Sequence, residues 1–202
     1  MLQVYRAVLF DMDGTLVETQ IDFKELRRRL GVPERESILD WIERHEEPQR
    51  SRMHATLDAV EREAADSAAL LPGARETIAW LEDRRIPFGI LTRNSRASWE
   101  TVRTRCGLPD LVHVFTRENG LVKPDPAALG PAADAWGIAP AEMVHVGDYL
   151  YDLQLARAAD MYSILIHHDG VNPFPEHCHF IARDHVELLA HLQSLPFQPL
   201  RP

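Results

Sequence analysis

Cysteine and long apolar runs are both scarce in this 202-residue sequence. Only Cys106 and Cys178 are present, too few for the disulfide framework of a small secreted domain, so we expect reduced thiols. No stretch approaches the ~20 consecutive apolar residues of a membrane-spanning helix. The first apolar run is too short for a signal peptide, and acidic residues follow it too closely. We therefore expect a cytoplasmic protein that does not bind membranes.

Basic residues are also in deficit, because 22 lysines and arginines face 31 aspartates and glutamates, for a net charge of −9. Such an acidic chain is a poor non-specific binder of nucleic acid, and we expect no nucleic-acid partner. The rest of the composition is ordinary for a globular domain, with 45% hydrophobic and 26% charged residues. The length allows one α/β domain with a moderate insertion.

Short apolar runs alternate with helical patterns along most of the chain. Near-continuous runs of valine, isoleucine, leucine and phenylalanine are typical of parallel strands that are covered on both faces. Such runs occupy residues 4–10, 87–91, 111–115, 143–146 and 162–166. Helices are predicted over residues 74–84, 96–107, 126–137, 150–159 and 184–195. This order predicts an α/β fold with a Rossmann-like, doubly wound parallel sheet.

The segment of residues 17–71 interrupts that alternation. It contains no convincing strand, is rich in charge, and has helical patterns over residues 23–30, 35–45 and 51–69. We predict that residues 1–16 and 72–202 form the core domain and that residues 17–71 form a helical insertion. We refer to residues 17–71 as the inserted segment.

An acidic pair, Asp11 and Asp13, comes directly after the first predicted strand and is followed by Gly14 and Thr15. Ligand sites of open α/β sheets form at the carboxyl ends of the strands. A carboxylate pair at such an end suits a hard cation such as Mg²⁺. Taken alone, the same residues also fit a helix cap and a turn.

Polar groups follow three more predicted strands, and each group taken alone also fits a cap or a solvated loop. Together they present an acid pair, a hydroxyl, a lysine and a second acid pair along one edge of the sheet. Four clustered carboxylates repel one another unless a cation lies among them. The candidate residues beyond the first pair are Thr92, Arg93, Asn94, Lys123, Asp148 and Asp152.

These residues resemble the four motifs of the haloacid dehalogenase superfamily, in the order and the structural contexts that the family uses. The resemblance covers about residues 4–16 and 71–166, and the inserted segment looks like the small helical cap of that superfamily. The first motif is Asp11-Met12-Asp13-Gly14-Thr15, the second is Thr92, the third is Lys123, and the fourth runs from Gly147-Asp148 to Asp152.

The resemblance implies an aspartyl-phosphate mechanism. It implies that Asp11 is the nucleophile and that Asp13 is the general acid and base. The Mg²⁺ ligands would be Asp11, the backbone carbonyl of Asp13, Asp148 and, directly or through water, Asp152. The resemblance implies that Thr92 and Lys123 bind the phosphoryl group. From their position beside Thr92 we also predict phosphate binding by Arg93 and Asn94, and we expect Arg93 to be placed where a carboxylate or second phosphate of the substrate could meet it.

The presence of Asp13 favours phosphate chemistry over dehalogenation, because family members that act as dehalogenases lack the second aspartate. We expect a Mg²⁺-dependent phosphatase acting on a small organic phosphate monoester such as phosphoglycolate or a sugar phosphate. The alternatives are a phosphotransferase such as a sugar-phosphate mutase, which uses the same core motifs, and a receiver-like or non-enzymatic interaction protein. The expected partner is a small phosphorylated metabolite, and the chain is expected to be a monomer or a homodimer.

Four histidines near the end of the last predicted strand admit two interpretations. Their side chains are of a type that binds Zn²⁺, but they lack the spacing of known zinc motifs, so a surface or turn role is the main prediction. His145, within a predicted strand, is interpreted as a core residue. The four are His167, His168, His177 and His179.

Overall fold

A six-stranded parallel sheet forms the centre of the molecule in the computed structural model, which describes residues 3–110, 113–198 and 200. In chain order the strands β1 to β8 are Ala7–Phe10, Val17–Glu18, Ala69–Leu70, Phe88–Leu91, Val114–Phe115, Met143–Gly147, Tyr162–Ile166 and Phe180–Ala182. The large sheet has the order β5-β4-β1-β6-β7-β8, and all its pairs are parallel. This confirms the predicted α/β, Rossmann-like sheet.

The described residues form eight α-helices, most of which connect and cover the strands of the large sheet. Two separate apolar clusters are built around residues of the large sheet, as both faces of a covered parallel sheet require. One contains Val8 and Phe10 of β1 and the other contains Ala7 and Leu9. The helices α1 to α8 are Phe23–Leu30, Ile38–Glu43, Gln49–Ser67, Ala74–Asp83, Arg96–Cys106, Gly130–Trp136, Leu150–Ala158 and His185–Ser194.

Local capping residues set several helix ends where the sequence predicted them. Asp184 accepts hydrogen bonds from the first-turn amides of α8. Gly31 and Gly107 end α1 and α5 in the left-handed conformation that glycine adopts without strain. The predicted helix over residues 126–137 begins instead as a 3₁₀ turn, Pro126–Leu129, before α6. Of the predicted strand 111–115, residues 111 and 112 lie outside the described residues.

The inserted segment contains α1, α2 and α3, which pack around their own apolar cluster, including Leu26, Ile42 and Leu57. The expectation that this segment lacks strands was wrong at its two ends. Val17–Glu18 and Ala69–Leu70 pair antiparallel as a short ribbon where the chain leaves and re-enters the core. Strands of two residues leave no periodic pattern in a sequence, which is why the ribbon was missed. The boundaries 1–16, 17–71 and 72–202 remain a prediction.

Candidate active site

The carboxyl ends of β1 and β6 bring Asp11 and Asp148 together. These neighbouring strands pair Phe10 with Val146, and the amide of Asp11 donates to the Val146 carbonyl at 2.8 Å. The chain leaves β6 directly into α7, which carries Asp152 in its first turn. A carboxylate oxygen of each of these three aspartates lies within 4.8 Å of the other two. The edge of the sheet therefore gathers three acids at one point.

Burial and mutual repulsion disfavour negative charge in this group. Burial, followed by the carboxylates of Asp11 and Asp152, raises the pKa of Asp148 to about 8. Burial also raises the pKa of Asp11, to about 6, although Lys123 opposes the shift. Carboxylates held this close are stabilised by a cation among them, and carboxylate oxygen is the donor that Mg²⁺ prefers. The donor set formed by Asp11, Asp148 and Asp152 therefore fits Mg²⁺.

Lys123 already supplies one positive charge to this group. Its ammonium Nζ lies 2.6 Å from Oδ1 of Asp11 and 2.7 Å from Oδ1 of Asp152, and its side chain is only 2% exposed. Burial by itself lowers the pKa of a lysine, but these two carboxylates outweigh burial and raise it. Lys123 is consequently a charged, fixed group beside Asp11.

Asp152 is held by more partners than its acidic neighbours. Its Oδ1 lies 2.9 Å from Nε2 of the buried His145, and its Oδ2 accepts from the Tyr149 amide at 3.1 Å. Burial acts to raise the pKa of Asp152, but the Lys123 ammonium and the His145 hydrogen bond hold it well below its usual range. The interpretation of His145 as a plain core residue was therefore incomplete. The spacing between His145 and Asp152 matches no sequence motif, so the sequence alone did not indicate this contact.

The Asp13 carboxylate bonds to the start of the inserted segment, and its charge also acts on Asp148. Oδ1 of Asp13 accepts from the Thr19 amide at 3.0 Å, and its carboxylate does not belong to the group formed by Asp11, Asp148 and Asp152. Burial raises its pKa, against the opposing effect of Thr19. A raised pKa favours the protonated form, which an acid needs in order to donate.

Gly14 lies against the acid group in a conformation that few other residues adopt. Its φ is +76°, and a Cβ at this position would overlap the Asp148 carboxylate. Only glycine satisfies both conditions at once. The close approach of the backbone to Asp148 therefore explains why a glycine follows the acid pair.

We expect Gly14→Ala to lower kcat/KM for a phosphate ester by about 100-fold, because it displaces Asp148 from the acid group. The control is Gly31→Ala, since Gly31 has a φ of +66° and open space around the position of the added Cβ. Both changes cost about 1–2 kcal/mol of left-handed strain, measurable by urea unfolding. Equal activity of the two variants would contradict the proposed close contact.

The loop after β4 flanks Asp11 on the side opposite β6, because β1 lies between β4 and β6 in the sheet. Thr92 is buried, and its Oγ1 accepts from the Asn94 amide at 3.1 Å. Among the described residues, no acceptor receives the hydroxyl hydrogen of Thr92. Arg93 donates to the backbone carbonyl of Lys123 and, at 2.6 Å, to Oγ of Ser37 in the inserted segment. The predicted phosphate-binding residues therefore lie along one loop and beside Lys123.

An ion-pair network joins α3 of the inserted segment to the loops that flank Thr92. The Arg117 guanidinium donates to Glu61 at 2.7 Å and 2.9 Å, to Asp58, and to the Arg93 carbonyl. Glu61 is 4% exposed and also accepts from the Ser95 amide at 3.2 Å. Sequence reasoning did not single out these residues, because 56 positions separate Glu61 from Arg117.

We expect Glu61→Gln to reduce the free energy of unfolding by about 2–3 kcal/mol, because it leaves the partly buried Arg117 only partly compensated. Urea unfolding followed by circular dichroism measures the change. Glu63→Gln, an exposed position on the same helix, is the control and should change stability by less than about 0.5 kcal/mol. An unchanged or more stable Glu61 variant would show that the network contributes no net stability.

The four histidines do not form one site in the structure. His167 and His168 lie with Asp169 so that one ligand atom of each falls within 4.8 Å of the others, and both His168 and Asp169 are exposed. His179 instead lies 3.1 Å from the Ser163 amide, through its Nδ1. The joint zinc site of all four histidines, which the sequence left open, does not appear among the described residues.

Comparison with known proteins places the chain in a family. The model of the haloacid dehalogenase-like hydrolase family matches residues 5–160. An uncharacterised hydrolase of Saccharomyces cerevisiae is 32% identical over 171 residues, which cover 82% of this chain and 78% of the yeast protein. A phosphoglycolate phosphatase of Nitrosococcus oceani is 29% identical over 188 residues, covering 79% of this chain and 83% of that protein.

A solved structure gives the same result for the fold. A hydrolase from Pseudomonas syringae superposes with a TM-score of 0.78 at 20% identity, over 93% of this chain and 98% of that chain. The sheet topology defines an α/β protein of the Rossmann-like class, with an acidic site at one edge of its sheet. The chain belongs to the haloacid dehalogenase-like hydrolase family, and within it to the phosphoric monoester hydrolases. The resemblance inferred from the motifs is thereby confirmed. No helix in the described part of the chain is both long and apolar enough to span a membrane.

Proposed function

We propose that this protein is a Mg²⁺-dependent phosphatase that hydrolyses a small organic phosphate monoester through a phosphoryl group carried on Asp11. One observation carries the proposal. The Lys123 ammonium lies 2.6 Å from the Asp11 carboxylate, at the point where Asp148 and Asp152 also converge. A fixed carboxylate beside a lysine and two further acids has the composition that phosphoryl transfer requires.

In the first step a carboxylate oxygen of Asp11 attacks the phosphorus of the ester. The new bond joins this oxygen to phosphorus, and the bond from phosphorus to the leaving oxygen breaks. Asp13 gives its proton to the leaving oxygen, so that a neutral alcohol departs. The raised pKa of Asp13 supports this role, because the residue must carry a proton before the step.

In the second step water replaces the alcohol. Asp13, now a carboxylate, removes a proton from the water molecule, and the water oxygen attacks phosphorus. The bond between Asp11 and phosphorus breaks, inorganic phosphate leaves, and Asp13 is protonated again. The sum of the two steps is ester plus water giving alcohol plus phosphate.

The remaining site residues bind the phosphoryl group and would hold the metal ion. Thr92, Asn94 and Lys123 bind the phosphoryl oxygens. Asp11, Asp148 and Asp152, with the backbone carbonyl of Asp13, would hold Mg²⁺, which when bound supplies positive charge to the transferring phosphoryl group. Because Lys123 and His145 keep Asp152 ionised, this residue fixes the position of Lys123.

The proposed substrate is a small phosphorylated metabolite, with phosphoglycolate or a sugar phosphate as the leading choices. The Nitrosococcus oceani relative named phosphoglycolate phosphatase supports the first choice. An N-acetylmuramic acid 6-phosphate phosphatase of Pseudomonas aeruginosa, 25% identical over 200 residues, supports the second. The proposal includes a cytoplasmic location, no nucleic-acid or membrane partner, and a monomeric or homodimeric state.

Phosphate release from a panel of esters tests the function. Phosphoglycolate, sugar phosphates, nucleoside monophosphates and pyridoxal phosphate are assayed with Mg²⁺ and with EDTA, in the absence of any acceptor. We expect release from at least one ester, loss of release with EDTA, and its recovery when Mg²⁺ is returned in excess. Isomerised sugar phosphate without net release would identify a mutase and overturn the proposal.

A further inference from the structure

Two arginines, Arg93 and Arg117, lie beside the site, and within the described part of the chain Arg117 alone of the two has a carboxylate partner. Arg117 is paired with both Glu61 and Asp58. Arg93 is partly buried, yet among the described residues no carboxylate lies within ion-pair distance of its guanidinium. Burial is the dominant influence on Arg93 and lowers its pKa. A desolvated cation without a paired anion is costly, and such groups commonly serve to bind one.

The neutral contacts of Arg93 hold its guanidinium in one position. It donates to the Lys123 carbonyl and, at 2.6 Å, to Oγ of Ser37, and its Cζ lies 4.4 Å from the centroid of the Tyr151 ring. Ser37 begins α2 of the inserted segment, and Tyr151 lies in the first turn of α7. A guanidinium has five N–H donors, so two hydrogen bonds leave donors for a ligand. The group is therefore oriented before any substrate binds.

Arg93 is connected to the nucleophile through Lys123. It follows Thr92, and it bonds to the backbone of Lys123, whose ammonium contacts Asp11. Arg93 and Asp11 therefore contact the same residue, Arg93 at the Lys123 carbonyl and Asp11 at the Lys123 ammonium. Arg93 also bridges the core to the inserted segment through Ser37. We therefore expect Arg93 to meet a group attached to the leaving alcohol.

We propose that Arg93 determines specificity by binding a second anionic group, a carboxylate or a second phosphate, on the leaving alcohol of the substrate. The inference rests on the proposed phosphatase function and narrows it to phosphate esters whose leaving group is itself negatively charged. The planar guanidinium can donate paired hydrogen bonds to a carboxylate or to a phosphate, so both anions are suitable ligands.

Four esters with leaving groups of matched size test this assignment. They are 2-phosphoglycolate, with a carboxylate; ethylene glycol bisphosphate, with a second phosphate; ethylene glycol monophosphate, which is neutral; and phosphoethanolamine, which is cationic. For the unaltered protein we expect kcat/KM for at least one anionic ester to exceed that for the neutral ester by about 10-fold or more. Whichever anionic ester the protein prefers shows whether Arg93 binds a carboxylate or a second phosphate.

Arg93→Gln should reduce kcat/KM for the preferred anionic ester by about 30-fold or more and for the neutral ester by less than about 3-fold. Arg93→Lys should recover part of the loss, since it restores the charge without the planar donors. Arg62→Gln, an exposed arginine on α3, removes the same charge and should leave both values unchanged.

The outcomes separate the two proposals. An equal loss on anionic and neutral esters would assign Arg93 a structural role and overturn the inference, while the phosphatase function would stand. The same conclusion follows if the unaltered protein shows no preference for an anionic ester, a measurement that needs no folded variant. Absence of phosphate release from all four esters and from the wider panel would overturn the phosphatase function, and the inference with it.

Discussion

Replacing Asp11 with asparagine is expected to lower phosphate-ester turnover by at least about 10⁴-fold, because a carboxamide cannot carry the phosphoryl group. The variant should still fold. The carboxamide oxygen of the Asp11→Asn protein can accept from Lys123, and loss of one charge relieves the repulsion that raises the pKa of Asp148. Stopped assays of phosphate release measure the turnover, and urea unfolding measures the stability.

The control for this experiment is Asp134→Asn, an exposed aspartate on α6. It removes the same charge from the surface and should leave turnover unchanged. Residual turnover by the Asp11 variant within about 10-fold of the unaltered protein would show that another group is the nucleophile. The site assignment would then have to be rebuilt around the other aspartates.

Replacing Lys123 with methionine is expected to reduce both activity and stability. The change leaves Asp11 and Asp152 buried without the ammonium that lies within 2.7 Å of each. We expect the free energy of unfolding to fall by about 3 kcal/mol and kcat/KM to fall by more than about 10³-fold. Added Mg²⁺ should recover part of the lost stability, since it offsets the same acidic charge.

Lys24→Met, an exposed position on α1, is the matched control and should alter neither quantity by a measurable amount. The stability comparison is made by urea unfolding with Mg²⁺ and with EDTA. A Lys123→Met protein that is as stable and as active as the unaltered one would contradict the role of the lysine. A Lys123→Met protein that loses activity and keeps full stability would show that folding does not require the Lys123 charge beside the three acids.

The alternation of strands and helices along the chain was predictable because most strands of the large sheet are short apolar runs. The exceptions have physical reasons. Phe180–Ala182, the edge strand β8, has three residues and follows polar His177 and His179, so its pattern resembles a loop. The ribbon of β2 and β3 is shorter still. Capping residues such as Asp184 and Gly107 set helix ends locally and could be identified from the sequence.

The central site residues were predictable for a different reason: parallel strands end at one edge, so polar residues after successive strands must meet there. The residues around them were not. Ser37 and Arg93 are 56 positions apart, as are Glu61 and Arg117, and no spacing rule links residues of a helix to a distant loop. In the sequence His145 has the pattern of an ordinary buried strand residue, and its contact with Asp152 depends on where α7 lies.

Detection of the phosphoryl group on Asp11 tests the central claim most directly. The protein is mixed with its best substrate and Mg²⁺, quenched in acid within the first turnover, digested and examined by mass spectrometry. We expect the peptide that contains Asp11 to carry one phosphoryl group, and the same peptide of the Asp11→Asn protein to carry none. Phosphate release with no label on that peptide, or label on another residue, would contradict the account.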